Sequence, residues 1–308
     1  MSDSIIIGVD HGYAAMKTAH FAFPSGLVAY EYEPYTLSNV LEYGGKFYVV
    51  GSGRQPLQKD KTQAEDYYLL TLAAIAKELE YRNAGTMADV HLATGLPLTS
   101  FGRDKKAFRD YLCRDGKPVS FRFECLDYTI TISKVSLYPQ GYAAVLTQSG
   151  LLNEPSVIVA DIGGWTVDLM RLDNRIPNAA TCRSLELGMI RCLDEISEQI
   201  RRSLGRSMTA AQIESVLRSD TSHVNEDSKK IIHLEAERYT KRLLSAIAES
   251  GLDVRAMPAV FLGGGAALLK RHVSAADGLC RPVILDDVSL NAKGYEWLTE
   301  RLEQKHEQ

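Results

Sequence analysis

The chain has 308 residues, of which 45% are hydrophobic and 24% charged, a composition that excludes disordered, collagen-like and disulfide-framework classes. Its length allows two average domains or one large domain. With 35 basic and 39 acidic residues, the net charge of −4 excludes a global electrostatic attraction to nucleic acid or to an anionic membrane.

The first predicted element is a strand that ends in a carboxylate. Residues 5–10 form a short β-branched run, typical of a buried strand, which ends at Asp10. After His11-Gly12, residues 16–23 alternate between apolar and polar, as one half-buried strand would. A turn at residues 24–26 then leads into another alternating stretch at 27–32.

Helical periodicity and capping signals fill the intervals between the strands. The predicted helices cover residues 63–82, 104–114, 141–149, 189–204, 209–217, 226–250 and 292–303. The helix at 209–217 opens with Thr209-x-x-Gln212, the pattern of a capping box. The mixed order of strands and helices predicts the α/β class.

The start of the chain is repeated halfway along it. Residues 157–161 form a second buried run that ends at Asp161, followed by Gly163 and Gly164, an alternating segment, a turn at Asp173-Asn174 and a further strand at 177–185. Asp10-x-Gly12 and Asp161-x-Gly163 lie 151 residues apart, about half the chain. The repeat predicts two similarly built halves.

The five cysteines contain no Cys-x-x-Cys pair and are odd in number, which favours reduced, buried thiols in a cytoplasmic protein. No zinc site is expected. The first four residues carry no basic side chain, and no stretch approaches the ~18 apolar residues that a membrane helix requires. We therefore expect a soluble chain that is not exported.

An aspartate at the end of a buried strand, followed by a glycine turn, places a carboxylate beside exposed backbone N–H groups. Two such turns facing each other would hold a phosphate chain, while Asp10 and Asp161 hold magnesium through its waters. Lys17 would reach the β and γ phosphates as a point charge. Either motif alone is also compatible with an ordinary Asp-Gly hairpin turn.

A third glycine-rich segment follows another buried run, at residues 260–262. Gly263, Gly264 and Gly265 open an apolar helix, so bare backbone could approach a flat or anionic ligand. The alternative is a tight turn. The patterns Gly-x4-Gly-Lys-[Ser/Thr] and Gly-x-Gly-x-x-Gly are both absent, which removes the signatures of two large nucleotide-binding classes.

Taken in order, these motifs resemble the phosphate, connector and adenosine motifs of the actin, Hsp70 and sugar-kinase superfamily. Two further segments, at residues 93–98 and 291–295, resemble the ParM/StbA branch of bacterial actin-like proteins, which segregate plasmids. The superfamily motifs are Asp10-x-Gly12-x4-Lys17, Pro139-Gln140-Gly141, the run from Asp161 to Asp168, Leu187-Gly188 and Gly263-Gly264-Gly265; the branch segments are Ala93-Thr94-Gly95-Leu96-Pro97-Leu98 and Asn291-Ala292-Lys293-Gly294-Tyr295.

The resemblance implies an actin-like fold, with two related RNase H-like halves around a nucleotide cleft, each carrying a smaller subdomain. Domain I would cover residues 1–150 plus 288–308, with its subdomain at about 33–84. Domain II would cover residues 151–287, with a helical subdomain at about 193–252.

The resemblance also implies a role for each motif. Asp10 and Asp161 would organise magnesium and its waters, and Gln140 would orient the attacking water. The remaining residues would bind ATP or GTP: Gly12, Tyr13, Lys17, Gly163, Gly164, Trp165 and Thr166 at the phosphates, Gly188, Gly263, Gly264 and Gly265 at the ribose and base, and Glu237 with Lys241 near the adenosine.

Some of these assignments have alternatives. Gln140 could merely cap its helix, and Glu237 with Lys241 could be a surface pair one helical turn apart. Two positions also depart from the family pattern: Tyr13 lacks the short hydroxyl or amide of many relatives, and Trp165 replaces a small or hydroxylated residue. The choice between ATP and GTP therefore stays open.

The implied function is a nucleotide hydrolase that polymerises and segregates plasmid DNA through a DNA-bound adaptor at a centromere-like site, with no direct contact to nucleic acid or membrane. A small-molecule kinase is an alternative, but it would usually need an aspartate base where this chain has Gln140. A cytoskeletal actin-like protein without a plasmid role is another. An Hsp70-type chaperone would need a peptide-binding domain, and only ~20 residues follow residue 285, enough for about one helix.

Overall fold

The computed structural model describes residues 4–36, 38–53, 61–148, 150, 153–219 and 224–306. The chain divides into two compact units. Unit 1 consists of Met1–Thr147 with Ser289–Gln308, and unit 2 consists of Gln148–Val288. Each unit contains its own β-sheet.

Unit 1 is a nine-stranded sheet with helices packed on it. Its strands are β1 (Ile5–His11), β2 (Ala15–Thr18), β3 (Ala22–Pro24), β4 (Leu27–Tyr30), β5 (Val40–Tyr43), β6 (Lys46–Val50), β7 (Met87–Leu96), β8 (Val119–Phe123) and β9 (Leu126–Pro139). They are arranged in the order β3-β2-β1-β7-β9-β8-β5-β6-β4. The helices are α1 (Asp66–Tyr81), α2 (Leu98–Cys113), α3 (Tyr142–Leu146) and α8 (Leu290–His306).

Unit 2 is a five-stranded sheet with four helices. Its strands are β10 (Ser156–Ile162), β11 (Val167–Asp173), β12 (Ile176–Leu185), β13 (Ala259–Leu262) and β14 (Pro282–Ile284), in the order β12-β11-β10-β13-β14. Its helices are α4 (Met189–Leu204), α5 (Ala210–Leu217), α6 (Glu226–Glu249) and α7 (Gly263–Ser274).

The two sheets share one topology. In each unit the first three strands form an antiparallel meander, and two later strands add in parallel on the other side of the first strand. The order β3-β2-β1-β7-β9 in unit 1 thus corresponds to β12-β11-β10-β13-β14 in unit 2. This correspondence confirms the prediction of two related α/β halves. It also makes β1 and β10 equivalent strands, so that Asp10 and Asp161 occupy equivalent positions near the carboxyl ends of these strands.

Two glycines allow α8 to pack closely within unit 1. A Cβ at Gly8 would overlap the carbonyl oxygen of Ala292, and a Cβ at Gly294 would lie 2.5 Å from the carbonyl oxygen of Ala143. Contacts this short are impossible for a real side chain, so these positions require glycine. The close packing seats α8 on β1 and on α3, beside the end of the sheet that carries Asp10.

Most long elements form where their patterns predict them. Helices α1, α4 and α6 match their predicted ranges within a few residues, and α5 opens with the predicted reciprocal hydrogen bonds between Thr209 and Gln212. Helix α2 begins at Leu98, six residues earlier than predicted. Helix α3 ends at Leu146, and Ser149 of the predicted range lies outside the described residues.

Two predictions were wrong. The alternating segment at 16–23 is not one strand, because the Thr18 N–H bonds to the Phe21 carbonyl at 2.8 Å and the chain turns there between β2 and β3. All five cysteines are free thiols, as expected, but only Cys192 is buried and Cys125 is exposed. The alternating pattern thus did not reveal the turn inside the segment, and the number of cysteines did not predict which thiols are buried.

Candidate functional site

Asp10 lies at the carboxyl end of β1 and is 2% exposed. Lys17 is its cross-strand partner on β2, with Nζ 3.0 Å from Oδ2. The Gln140 side-chain amide donates a hydrogen bond of 3.0 Å to Oδ1 of the same carboxylate. The structure therefore brings together three of the predicted site residues of unit 1, although Gln140 is 130 positions from Asp10 in sequence.

The electrostatics of this cluster keep Asp10 ionised. Burial by itself would raise the pKa of Asp10, but the charge and hydrogen bond of Lys17, with a contribution from Lys61, lower the pKa below its ordinary value. A buried carboxylate that stays anionic at neutral pH is a hard oxygen ligand of the kind that magnesium prefers. Asp10 thus fits a magnesium ion held directly or through water.

The turn after β1 has little room for side chains. A Cβ at Gly12 would overlap the carbonyl oxygen of Ala15 and lie 3.1 Å from Nζ of Lys17. The Ser25 hydroxyl donates to the Gly12 carbonyl at 2.6 Å, and the Ser25 N–H donates to the Ala14 carbonyl at 3.1 Å. Ser25, which the motifs did not single out, therefore fixes this loop, and the half-buried Tyr13 lies within it.

His11 and Lys61 are two further residues at this end of β1 that the sequence reasoning missed. The His11 ring is fully buried between the hydroxyls of Thr94 (2.9 Å from Nδ1) and Thr71 (2.8 Å from Nε2). Burial, reinforced by the charge of Lys61, lowers the pKa of His11 to about 3, so the ring is neutral at physiological pH. Lys61 donates a hydrogen bond to the His11 carbonyl and adds a second cation next to Asp10.

Gln140 sits on the connector between β9 and α3. Its backbone N–H donates to the Leu96 carbonyl at 2.9 Å, and the next residue, Gly141, adopts a φ of +73° and donates to Oδ1 of Asn291 at 2.9 Å. Helix α3 has no side-chain cap. The Gln140 amide therefore points to Asp10 and does not cap its helix.

In unit 2, Asp161 lies near the end of β10 and is 8% exposed. Its cross-strand partner on β11 is Asp168, at the position that Lys17 occupies in unit 1. The Gly163 N–H donates to the Thr166 carbonyl at 2.9 Å and closes the turn, while the Thr166 hydroxyl donates to Oδ2 of Asp168 at 3.0 Å. Both hydrogen bonds of Thr166 thus stabilise the glycine turn that follows Asp161.

The start of α4 holds the same loop in place. The backbone N–H groups of Gly188 and Met189 donate to the carbonyls of Trp165 and Gly163 at 2.9 and 3.0 Å. A Cβ at Gly188 would overlap the Trp165 carbonyl carbon, so glycine is required at this contact. The buried Tyr239 hydroxyl donates to the Gly188 carbonyl at 2.9 Å, a support that the sequence motifs did not indicate.

The glycine triplet meets Asp161 directly. Gly263 has a φ of +88°, and a Cβ there would overlap Oδ1 of Asp161. A Cβ at Gly265 would overlap the side chain of Ile162, whereas the position of Gly264 is open. The N-terminus of α7 therefore lies against the Asp161 carboxylate, and its partial positive charge favours an anion at this edge of the sheet.

Glu237 and Lys241 form an ion pair of 2.6 Å on α6, with side chains that are 53% and 71% exposed. Lys241 lowers the pKa of Glu237 through this hydrogen bond. The geometry is that of a surface pair one helical turn apart. Its predicted place near adenosine stays a prediction.

Several basic side chains of α4 and α7 form ion pairs with acidic residues. Arg201 and Arg202 both contact Glu198, at 2.8 and 2.6 Å, and Lys270 lies 2.6 Å from Asp286. These contacts neutralise much of the positive charge of the two helices.

The described parts of the chain contain neither a cluster of metal ligands nor a membrane-spanning helix. There, no group of three or more His, Cys, Asp and Glu side chains lies together as a metal site. Sites in which magnesium is held by one or two carboxylates, with phosphate and water as the other ligands, need no such group. None of the helices described is long and apolar enough to span a membrane.

Two α/β units of one topology, each with an aspartate and a glycine turn at the end of its first strand, define the actin-like fold. The family model for the N-terminal domain of actin-like proteins matches residues 8–142, and the model for the C-terminal part of the archaeal actin homologue MreB-like matches residues 159–275. Together they cover most of both units. The chain has the actin-like fold, as its motifs predict, and each unit matches a family model from actin-like proteins.

Individual relatives agree with this assignment. An archaeal actin homolog from Thermoplasma volcanium is 26% identical over 223 residues, 65% of this chain and 68% of its own length. A crystal structure of an archaeal actin homolog superposes with a TM-score of 0.77 at 21% identity, covering 97% of this chain and 99% of the other. A 15-stranded ParM filament from Clostridium botulinum gives a TM-score of 0.73 at 19% identity, with 97% and 99% covered. At these identities the two structures show the fold alone.

Proposed function

We propose that this protein is a nucleotide hydrolase that assembles into filaments when nucleotide is bound. The observation that carries the proposal is the cluster at the end of β1, in which the Gln140 amide and the Lys17 ammonium both contact the buried Asp10 carboxylate. An ionised carboxylate, a cation and a positioned amide are the groups that phosphoryl transfer to water requires. An archaeal actin homolog of the same fold has a structure in complex with ADP, which agrees with this reading.

In this proposal the loops of each unit bind phosphate groups of ATP or GTP, as the sequence resemblance implies. Lys17 moves from Asp10 to the β and γ phosphates, and Gly12 and Tyr13 contribute beside it in unit 1. Gly163, Gly164, Trp165 and Thr166 contribute in unit 2. Gly188 and the residues 263–265 flank the ribose and base, where the open position of Gly264 leaves the backbone accessible.

Asp10 and Asp161 are the residues that would hold magnesium, which supplies charge neutralisation at the phosphates when it is bound. Gln140 holds the attacking water. An amide is a poor base, but a loose transition state for phosphoryl transfer depends mostly on a positioned nucleophile. The contact between Gln140 and Asp10 orients the amide before nucleotide arrives.

The proposed domains follow the actin-like pattern, with domain I at residues 1–150 plus 288–308 and domain II at residues 151–287. Their subdomains are at about 33–84 and 193–252. Partners are further copies of the chain and a small DNA-bound adaptor at a centromere-like site, in the cytoplasm. One solved structure of this fold is a ParM filament, which supports the homopolymer. The plasmid cargo rests on the sequence resemblance.

Light scattering separates this proposal from the small-molecule kinase. Addition of magnesium and ATP or GTP to the purified chain should raise the scattering of the wild type and leave Asp161→Ala unchanged. A kinase would stay monomeric or form small closed oligomers with every nucleotide. The filament proposal fails if neither nucleotide raises scattering at high protein concentration, and the magnesium assignment fails if Asp161→Ala hydrolyses nucleotide normally.

A further inference from the structure

Two half-buried histidines face each other between helices α6 and α7 of unit 2. Nδ1 of His233 lies 3.4 Å from Nε2 of His272, and the ring centroids are 5.5 Å apart at an interplanar angle of 42°. This separation is long for a hydrogen bond between nitrogens. The pair belongs to none of the nucleotide motifs, and its members are 39 residues apart in sequence.

The separation matches the spacing of two ligands on one metal ion. A tetrahedral centre with zinc–nitrogen bonds of about 2.0–2.1 Å places two ligand nitrogens about 3.3–3.4 Å apart. The distance between the two ring nitrogens therefore fits the binding of one ion, and the rings would need only to turn so that both lone pairs face it. Imidazole is a ligand for zinc and for the neighbouring transition metals.

The protonation state of the pair is also suitable. Burial, together with the charge of Arg271, lowers the pKa of both His233 and His272, so both rings are neutral near pH 7. Metal ligation requires this neutral form. The same Arg271 charge repels a cation, so binding should be weaker than in closed structural zinc sites.

Glu237 is the candidate for a third ligand. It lies four residues after His233 on α6, which places both on one face of the helix. Its charge acts on His272, so the carboxylate lies within electrostatic reach of the pair. Glu237 is bonded to Lys241 in this structure, and the described residues contain no preassembled group of three ligands. A third ligand from Glu237 would require its side chain to leave Lys241.

We propose that His233 and His272 form a binding site for a divalent transition metal such as zinc, with Glu237 and water completing the coordination. The ion would link α6 to α7 and stabilise unit 2. The cysteine pattern predicted no zinc site. The proposed site differs from that prediction because its ligands are histidines, which the cysteine pattern does not report. It does not depend on the proposed nucleotide function.

The test is calorimetric titration of zinc chloride into the full chain, free of nucleotide and of any polyhistidine tag. We expect about one zinc per chain, and at least a tenfold loss of affinity in His233→Gln and in His272→Gln. Glutamine keeps a polar side chain at these half-buried positions but removes the ring nitrogen. His20→Gln, which removes an exposed histidine from unit 1, is the matched control and should bind within twofold of the wild type.

Cobalt supplies an independent measurement. Cobalt bound at the pair should give the intense visible absorption of a four-coordinate ion, and this absorption should be absent from both glutamine variants. Circular dichroism confirms that the variants are folded. The proposal is overturned if the wild type takes up no zinc, if either glutamine variant keeps the wild-type affinity, or if His20→Gln loses affinity equally.

Discussion

Lys17 and Asp10 are cross-strand partners on β2 and β1, and their side chains form an ion pair of 3.0 Å. At the equivalent position of unit 2, Asp168 is the cross-strand partner of Asp161. The two repeats therefore share the carboxylate at the end of the first strand and differ at the residue across from it. Unit 1 carries a cation that a phosphate can attract, whereas unit 2 carries a second acid beside the first.

The pair gives a prediction for stability. Asp10→Asn removes a buried charge and leaves the Lys17 ammonium without its counter-charge, so we expect the free energy of unfolding to fall by about 2 kcal/mol, less than for a fully buried pair because Lys17 is partly exposed. Urea denaturation measures it. The double variant Asp10→Asn with Lys17→Met should recover part of the loss. Strictly additive single-variant effects would show that the pair is not coupled.

Gly263 gives a second prediction for stability, and the adjacent Gly264 provides a matched control. Gly263→Ala forces a left-handed residue to carry a Cβ that overlaps Asp161, and should cost at least about 1–2 kcal/mol of stability. Gly264→Ala adds a Cβ in open space inside the first turn of α7 and should be neutral or slightly stabilising. Equal destabilisation of the two variants in thermal unfolding would contradict the close contact with Asp161.

Gln140 should matter for hydrolysis more than for binding. Gln140→Ala removes the amide that contacts Asp10, so we expect phosphate release to slow about a hundredfold because the attacking water loses its position. Titration with a fluorescent nucleotide should show affinity within about threefold of the wild type, since the phosphate-binding backbone is untouched. Normal phosphate release from Gln140→Ala would refute the assigned role.

The buried His11 predicts a dependence of stability on pH. Its pKa is about 3 in the folded chain, against an ordinary value of 6.5, so the unfolded chain binds more protons between these two values. Stability from this group is present above pH 6.5 and is lost as the pH falls toward 3. Between pH 7 and pH 5 the loss should be about 2 kcal/mol.

His11→Asn, which cannot titrate, provides the comparison for that measurement. Urea denaturation at a series of pH values should give a shallower slope for the variant than for the wild type between pH 7 and pH 5. Identical slopes would mean that His11 is not the group that titrates.

The sequence allowed good prediction of several elements whose determinants are local, although it missed the local turn between Thr18 and Phe21. The β-branched run before Asp10, the glycines after it and the capping box at Thr209 each specify their structure within a few residues. The repeat of the Asp-x-Gly turn then predicted two related halves, because a strand end and its turn are read from adjacent residues.

Non-local contacts could not be predicted in this way. Lys61 reaches the His11 carbonyl across 50 residues, and Thr94 reaches the His11 ring across 83. The order in which β8, β5, β6 and β4 extend the sheet of unit 1 depends likewise on pairings between distant strands. Such contacts are decided by tertiary packing, and no spacing in one sequence reports them.

We propose above that this chain assembles into filaments in response to nucleotide. Sedimentation of the purified protein with magnesium and ATP or GTP, followed by electron microscopy of the pellet, tests it most directly. We expect regular filaments with at least one of these nucleotides, and none without nucleotide or with Asp161→Ala. A chain that stays in the supernatant with both nucleotides, or that pellets only as disordered aggregate, would contradict it.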